Sequence, residues 1–192
     1  NIEGGTFNGY YALSDRYQNI NQTVNIKGGT FNGSKAALFV DNKDGKANQG
    51  NNRVISVTGG KFSTQVDSKF YAEGNVCFQF PNSKLYGVGQ SAEVKFDRNI
   101  FTADSDNLTW NVYAPYTFKD MGYQEFPTLT YPSGGYGMIA WTYDKNKDAQ
   151  IDEPVDGSFI KDGVITLIAD GWKNPIYVFV AKDSEDAFED SK

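Results

Sequence analysis

Residues 144–153 read DKNKDAQIDE, and oxygen-bearing side chains recur there at alternate positions. Asp144, Asn146, Asp148 and Asp152 fall at positions 1, 3, 5 and 9 of a calcium-loop pattern, with Gln150 offering its backbone carbonyl at position 7. Alternating oxygen donors can wrap one hard cation, so Ca²⁺ is the one cofactor this spacing would hold. Two residues count against it. Ala149 stands where such a loop turns on glycine, and Val155 stands where it needs a bidentate carboxylate, so Glu153 or Asp156 would have to substitute. The preferred reading is a solvated acidic hairpin loop between two strands, with no cofactor. The shorter run 41–45 (DNKDG) is explained by Asx-turn chemistry without a metal.

Aromatic rings offer a second chemistry. Tyr10, Tyr11 and Tyr17 cluster near the N-terminus, and Trp110 and Tyr113 cluster with Tyr116 and Tyr123 in the second half. Rings with amide and carboxylate neighbours suit the apolar faces of sugars, so these residues are the candidate ligand-binding set. The same rings also serve as core or interface packing.

Catalysis finds little support. The chain has no histidine, which removes Ser-His-Asp and Cys-His nucleophiles and histidine zinc sites. Its one cysteine, Cys77, allows no intrachain disulfide and reads as buried and inert within VCFQF. Asp15, Asp41 and Asp44 could be paired for glycoside cleavage, but the repeats carry no acid at a shared position. A non-enzymatic protein is therefore expected.

The formal net charge is −6 and the sequence pI is near 4.7. Such a chain is a poor partner for nucleic acid or for an anionic membrane. Its apolar stretches fall well short of the ~20 residues that span a bilayer as a helix. Residue 1 is Asn and the sequence opens inside a repeat, so a fragment or mature product of a longer chain is expected.

The elements that must position these residues are announced by a repeat. Residues 2–9 read IEGGTFNG, 26–33 read IKGGTFNG and 57–64 read VTGGKFST, at offsets of 24 and 31 residues. Periods of this size signal stacked supersecondary units. Short apolar strands at 10–13 and 36–40 and alternating strands at 23–26 and 53–57 fit one unit each, with polar loops at 14–21 and 41–52 between them. Each Gly-Gly pair marks a turn where a Cβ would clash or φ is positive. Phe7, Phe31 and Phe62 are expected to form a ladder up the stack, since no single unit can bury its own apolar face.

This segment resembles the GGTF-type right-handed β-helix repeats of large secreted and surface proteins of gut bacteria. The resemblance continues through GGKFSTQVDSKFYAEGNVC, where Val66-Asp67-Ser68 and Tyr71-Ala72-Glu73-Gly74 match that family's closing phrase and Asn75 departs from it. It implies that residues 63–89 form a cap: a helical turn, then strands near 76–80 and 84–88 joined at Pro81-Asn82-Ser83.

After residue 89 the composition changes. Strands are expected at 92–97, 109–113, 137–143, 164–169 and 175–181, with an acidic tail after them. The residues Val94–Asp97, Gly135-Tyr136, Ala140–Asp144, Ile165–Ala169 and Trp172 are similar to the Listeria–Bacteroides repeat, also known from internalin B-repeats. Departures are Ala140 before the tryptophan, Asn99-Ile100-Phe101 in place of an NGG turn, and two extra residues before Trp172. That resemblance implies a small β-grasp-like unit used as a stalk or spacer.

The expected fold class is thus all-β: the C-terminal coils and cap of a right-handed parallel β-helix (1–89), a β-grasp-like unit (90–182) and an acidic tail (183–192). The expected role is a secreted, cell-surface adhesin or stalk that meets host or bacterial glycans or surface proteins. It is not expected to bind nucleic acid or insert into a membrane. The alternative is a carbohydrate-binding accessory module, or a fragment of a β-helix enzyme that degrades polysaccharide.

Overall fold

The computed structural model describes residues 1–15, 24–40, 55–99, 101–103, 108–130, 139–144 and 147–171. Tyr17, Asn146, Tyr136, Trp172, the strand expected at 175–181 and the acidic tail lie outside them. The described residues are mainly β, with two short 3₁₀ turns and no α-helix among them.

The repeat half supplies β1 (Thr6–Asp15), β2 (Val24–Ile26), β3 (Thr30–Val40), β4 (Ile55–Val57) and β5 (Lys61–Phe62). Like residues of successive repeats pair in parallel. Thr6, Phe7, Asn8 and Gly9 of β1 lie opposite Thr30, Phe31, Asn32 and Gly33 of β3, and Thr30 and Phe31 lie opposite Lys61 and Phe62 of β5. A second parallel pair sets Val24 and Ile26 of β2 against Ile55 and Val57 of β4. The expected Phe ladder forms: Phe7 stacks on Phe31 at 4.8 Å between ring centroids, and Phe31 on Phe62 at 5.2 Å. Phe31 and Phe62 are wholly buried, each stabilising the stack by about 1.5–3 kcal/mol of removed apolar surface.

The two glycines of each pair serve different ends. A Cβ on Gly28 would meet the Glu3 carbonyl oxygen at 2.3 Å, and one on Gly59 would meet that of Lys27 at 2.2 Å. The first glycine therefore lets successive repeats approach backbone to backbone. Gly29 and Gly60 have φ of +98° and +104°, so the second makes a turn that an L side chain would strain.

Beyond the third repeat, Asp67 caps a 3₁₀ turn at Ser68–Phe70 by accepting a hydrogen bond from the Lys69 amide. That bond draws the Asp67 carboxyl below its ordinary pKa. Phe70 enters the core, and Ala72 N–H donates to the Val57 carbonyl, tying this segment to the last repeat.

Next come β6 (Asn75–Gln79) and β7 (Tyr86–Asp97). The strands expected at 84–88 and 92–97 are one continuous strand. Gly89 does not interrupt it: a Cβ there would meet the Ala114 carbonyl oxygen at 2.3 Å, so that glycine permits close packing. The second half adds β8 (Thr102–Ala103), β9 (Trp110–Ala114), β10 (Leu129–Thr130), β11 (Ile139–Asp144), β12 (Lys147–Asp148) and β13 (Val164–Gly171). The short strands β8 and β10 pair with each other.

The main sheet is mixed, in the order β1-β3-β5-β7-β13-β11-β12. Gln90 pairs with both Asn75 of β6 and Ala114 of β9, so those two strands flank β7 on opposite sides. One side of β7 meets antiparallel β5 and then β9, and the other meets antiparallel β6 and then parallel β13. Two hydrophobic clusters lie along it. One holds Ile26, Phe31, Ile55, Val57, Phe62, Phe70 and Val88; the other holds Val94, Trp110, Phe118, Trp141, Ile165 and Leu167.

Candidate functional site

Of the aromatic candidates, Tyr10 and Tyr11 lie at the surface of the repeats. Tyr10 is 62% exposed on β1, the end strand of the main sheet among the described residues. It meets Tyr11 edge-on at 4.9 Å, and Tyr11 stacks on Phe39 of β3 at 4.3 Å. Phe39 was not singled out from the sequence, because AALFV reads as a uniformly apolar run. Alternation does not single it out either, since the adjacent Ala37 and Leu38 are both buried and the β1–β3 register shifts between Gly9 and Tyr11. Three rings thus form one half-open aromatic surface. The ring face carries partial negative charge and attracts the C–H edges of an apolar partner.

Trp110 and Tyr113 lie elsewhere. Trp110 is 8% exposed, with Tyr123 stacked on it at 4.0 Å and Phe126 at 5.6 Å. It offers no free platform, because its place on β9 turns it into the second core. Tyr113 points to the other side of β9 and stacks on Phe78 at 3.9 Å, so packing occupies one of its faces. Tyr17 lies outside the described residues.

The acidic segment forms a β-hairpin. Asp144 of β11 lies opposite Lys147 of β12, and Thr142 opposite Asp148. Ala149, at the turn position of the calcium pattern, is buried and donates its N–H to the Trp141 carbonyl at 2.7 Å. Gln150 is exposed beside it, and Asp152 lies beyond in a turn. Among the described residues no group of three or more His, Cys, Asp or Glu side chains is placed to hold a metal ion. Asn146 lies outside them.

What the hairpin does hold is an ion pair. Lys147 Nζ donates to Asp156 Oδ2 at 2.7 Å and lies 5.3 Å above the Phe159 ring. The Lys147 and Ser158 hydrogen bonds draw the Asp156 carboxyl down to about 2. The neighbouring Tyr143 phenol is pushed up to about 12 by burial, with the Asp156 and Glu153 charges adding to it.

The repeat half and the second half meet at Tyr116. Its hydroxyl donates to the Gly60 carbonyl at 2.5 Å and accepts from the Val88 N–H at 3.0 Å. It fills the gap where β5 begins beside β7 and β9 ends. Burial pushes this phenol well above its ordinary pKa. Nearby, Lys61 Nζ donates to Asp120 Oδ1 at 2.9 Å and sits 5.2 Å from the Phe80 ring centroid. Burial alone would raise the Asp120 pKa, but the Lys61 ammonium and the Thr117 N–H outweigh it and hold the carboxyl below its ordinary value.

Comparison with protein-family models, with curated proteins and with solved structures gives no match to this chain.

Proposed function

We propose that this chain is a non-enzymatic binding and presentation module of a secreted bacterial surface protein, and that its repeat surface grips a glycan ring. The carrying observation is the Tyr10–Tyr11–Phe39 surface, in which rings from two successive repeats stand together at the face of a stiff stack. In this reading the two parallel ladders are the last coils of a right-handed β-helix, residues 63–89 are its cap, and the second half is a β-grasp-like spacer. Support comes from the in-register pairing of like residues, the capped turn at Ser68–Phe70, and the core around Trp141 and Leu167.

This aromatic cluster, with the Asn8–Asn32 amide pair two residues before Tyr10 along β1 and its hydrogen bond 2.9 Å long, suits a pyranose: ring C–H groups against the exposed Tyr10 ring, hydroxyls toward the amides. A glycan array followed by calorimetric titration tests it. Binding of at least one saccharide, lost in Tyr10→Ala and in Tyr11→Ala with the melting temperature kept, is the expected result. Turnover of any polysaccharide by the intact chain would overturn the non-enzymatic reading.

A further inference from the structure

We infer a second binding site, distinct from the aromatic surface, in the crevice between the third repeat and the second half, with an acidic sugar unit as its ligand. A cavity of about 220 Å³ lies between Lys61, the turn carrying Asn82 and Ser83, and the pair Lys119-Asp120, with Leu85 and Phe80 on its apolar flank. Asp120 is already neutralised, since Oδ1 accepts from Lys61 and Oδ2 accepts from the Thr117 N–H. The exposed Lys119 ammonium and the Asn82 carboxamide have no hydrogen-bond or ion-pair partner among the described residues. The Ser83 hydroxyl oxygen accepts from the Leu85 N–H, which leaves its own proton to donate. The crevice therefore carries one uncompensated positive charge and a surplus of donors. An acceptor-rich anion satisfies both. The cavity admits one sugar ring, and the Asn82 amide and Ser83 hydroxyl suit ring hydroxyls, which favours a hexuronate over the carboxylate of a peptide.

The crevice does not end there. Lys61 also lines a second recess of about 370 Å³ that runs past Gly60, Gly29 and Gly5 and is walled by Lys27 and Pro115. The two recesses share Lys61 and are lined by Lys119, Lys61 and Lys27; Lys61 is paired with Asp120, and Lys27 with Glu3 at 3.6 Å in a solvent-exposed ion pair, so Lys119 carries the uncompensated charge. A chain of hexuronate units anchored at Lys119 can run along this row, its carboxylates exchanging for Glu3 on the exposed Lys27, so affinity is expected to grow with ligand length. The chain's overall charge of −6 makes the crevice a local exception, and added salt should weaken the binding.

This inference rests on the reading of the chain as a glycan-binding module, and the two are separable by experiment. Titration with glucuronate, a glucuronate trimer, neutral galactose and a short peptide with a free C-terminal carboxylate is followed by NMR shifts. The expected result is binding of glucuronate, tighter binding of the trimer, about fivefold to tenfold weakening by Lys119→Gln and by Asn82→Ala, and no change in Tyr10→Ala. Unchanged trimer binding in Lys119→Gln overturns the site, as does equal affinity for galactose or for the peptide. Trimer binding lost only in Tyr10→Ala keeps the aromatic-surface reading and overturns this one. Glycan binding that responds to Lys119→Gln but never to Tyr10→Ala or Tyr11→Ala does the reverse.

Discussion

Tyr116→Phe removes one oxygen from the seam between the two halves. The ring stays, so the packing around Phe78 and Phe80 is kept. What is lost is the acceptor for the Val88 N–H and the donor to the Gly60 carbonyl, both in buried residues. No neighbouring strand replaces them, because antiparallel β5 begins only at Lys61 and its pairing with β7 covers only Gly87 and Tyr86. An unsatisfied buried polar group costs ~1–3 kcal/mol. Two such groups, partly relieved by relaxation, give a loss of about 2–4 kcal/mol. At this chain size each kcal/mol lowers Tm by about 2–4 °C, so a fall of roughly 5–15 °C is expected by scanning calorimetry. The alkaline limb gives a second readout. The folded phenol has a raised pKa, so its stabilising contribution is complete below the ordinary value of 10.0 and is lost as pH rises through the folded value. Tyr116→Phe should flatten the stability curve above pH 10.0, leaving the smaller contributions of the Tyr71 and Tyr143 phenols, which burial also raises, each to about 12. A Tm change under about 1 °C, or one equal to that of the exposed control Tyr10→Phe, would refute the assigned role of the hydroxyl.

Other substitutions separate the roles already described. Gly28→Ala drives a Cβ against the Glu3 carbonyl and should cost ~2–3 kcal/mol, whereas Gly4→Ala, with open space around it, should stay within about 0.5 kcal/mol in urea unfolding. Phe31→Ala opens a hole between Phe7 and Phe62 and should cost ~3–5 kcal/mol by the same measurement. The Asp156 pKa is lowered, so its contribution is present above the ordinary carboxylate value and disappears as pH falls through about 2. With both partners solvent-accessible the effect is about 1 kcal/mol or less, and Lys147→Ala should remove it from the acid limb.

The parallel ladders were legible because the repeat writes its register into the sequence: equal phrases pair residue for residue, so Phe7, Phe31 and Phe62 had to meet. The strands around Trp110, Trp141 and Leu167 were legible from alternation and apolar runs. The seam was not. Tyr116 reaches its partners across 28 and 56 residues, and no local pattern encodes a bond of that span. Gly89 misled for the same reason, since its purpose lies in the distant Ala114 carbonyl. Trp110 looked like a surface platform because composition does not tell which face of a strand a ring takes; the neighbouring Val112 and Ala114, buried on the same side, carried that information.

β7 has a mechanical consequence. A tether between two folded bodies acts as a swivel when it is a loop, and their relative angle then wanders. Here the connection is one extended strand, paired on both flanks at Tyr86-Gly87, at Gln90 and at Glu93-Val94, and pinned by Tyr116 between them. Bending it would break ladder bonds in both halves at once. A pull on one half is therefore handed to the other as through a beam, with the angle between them kept under load.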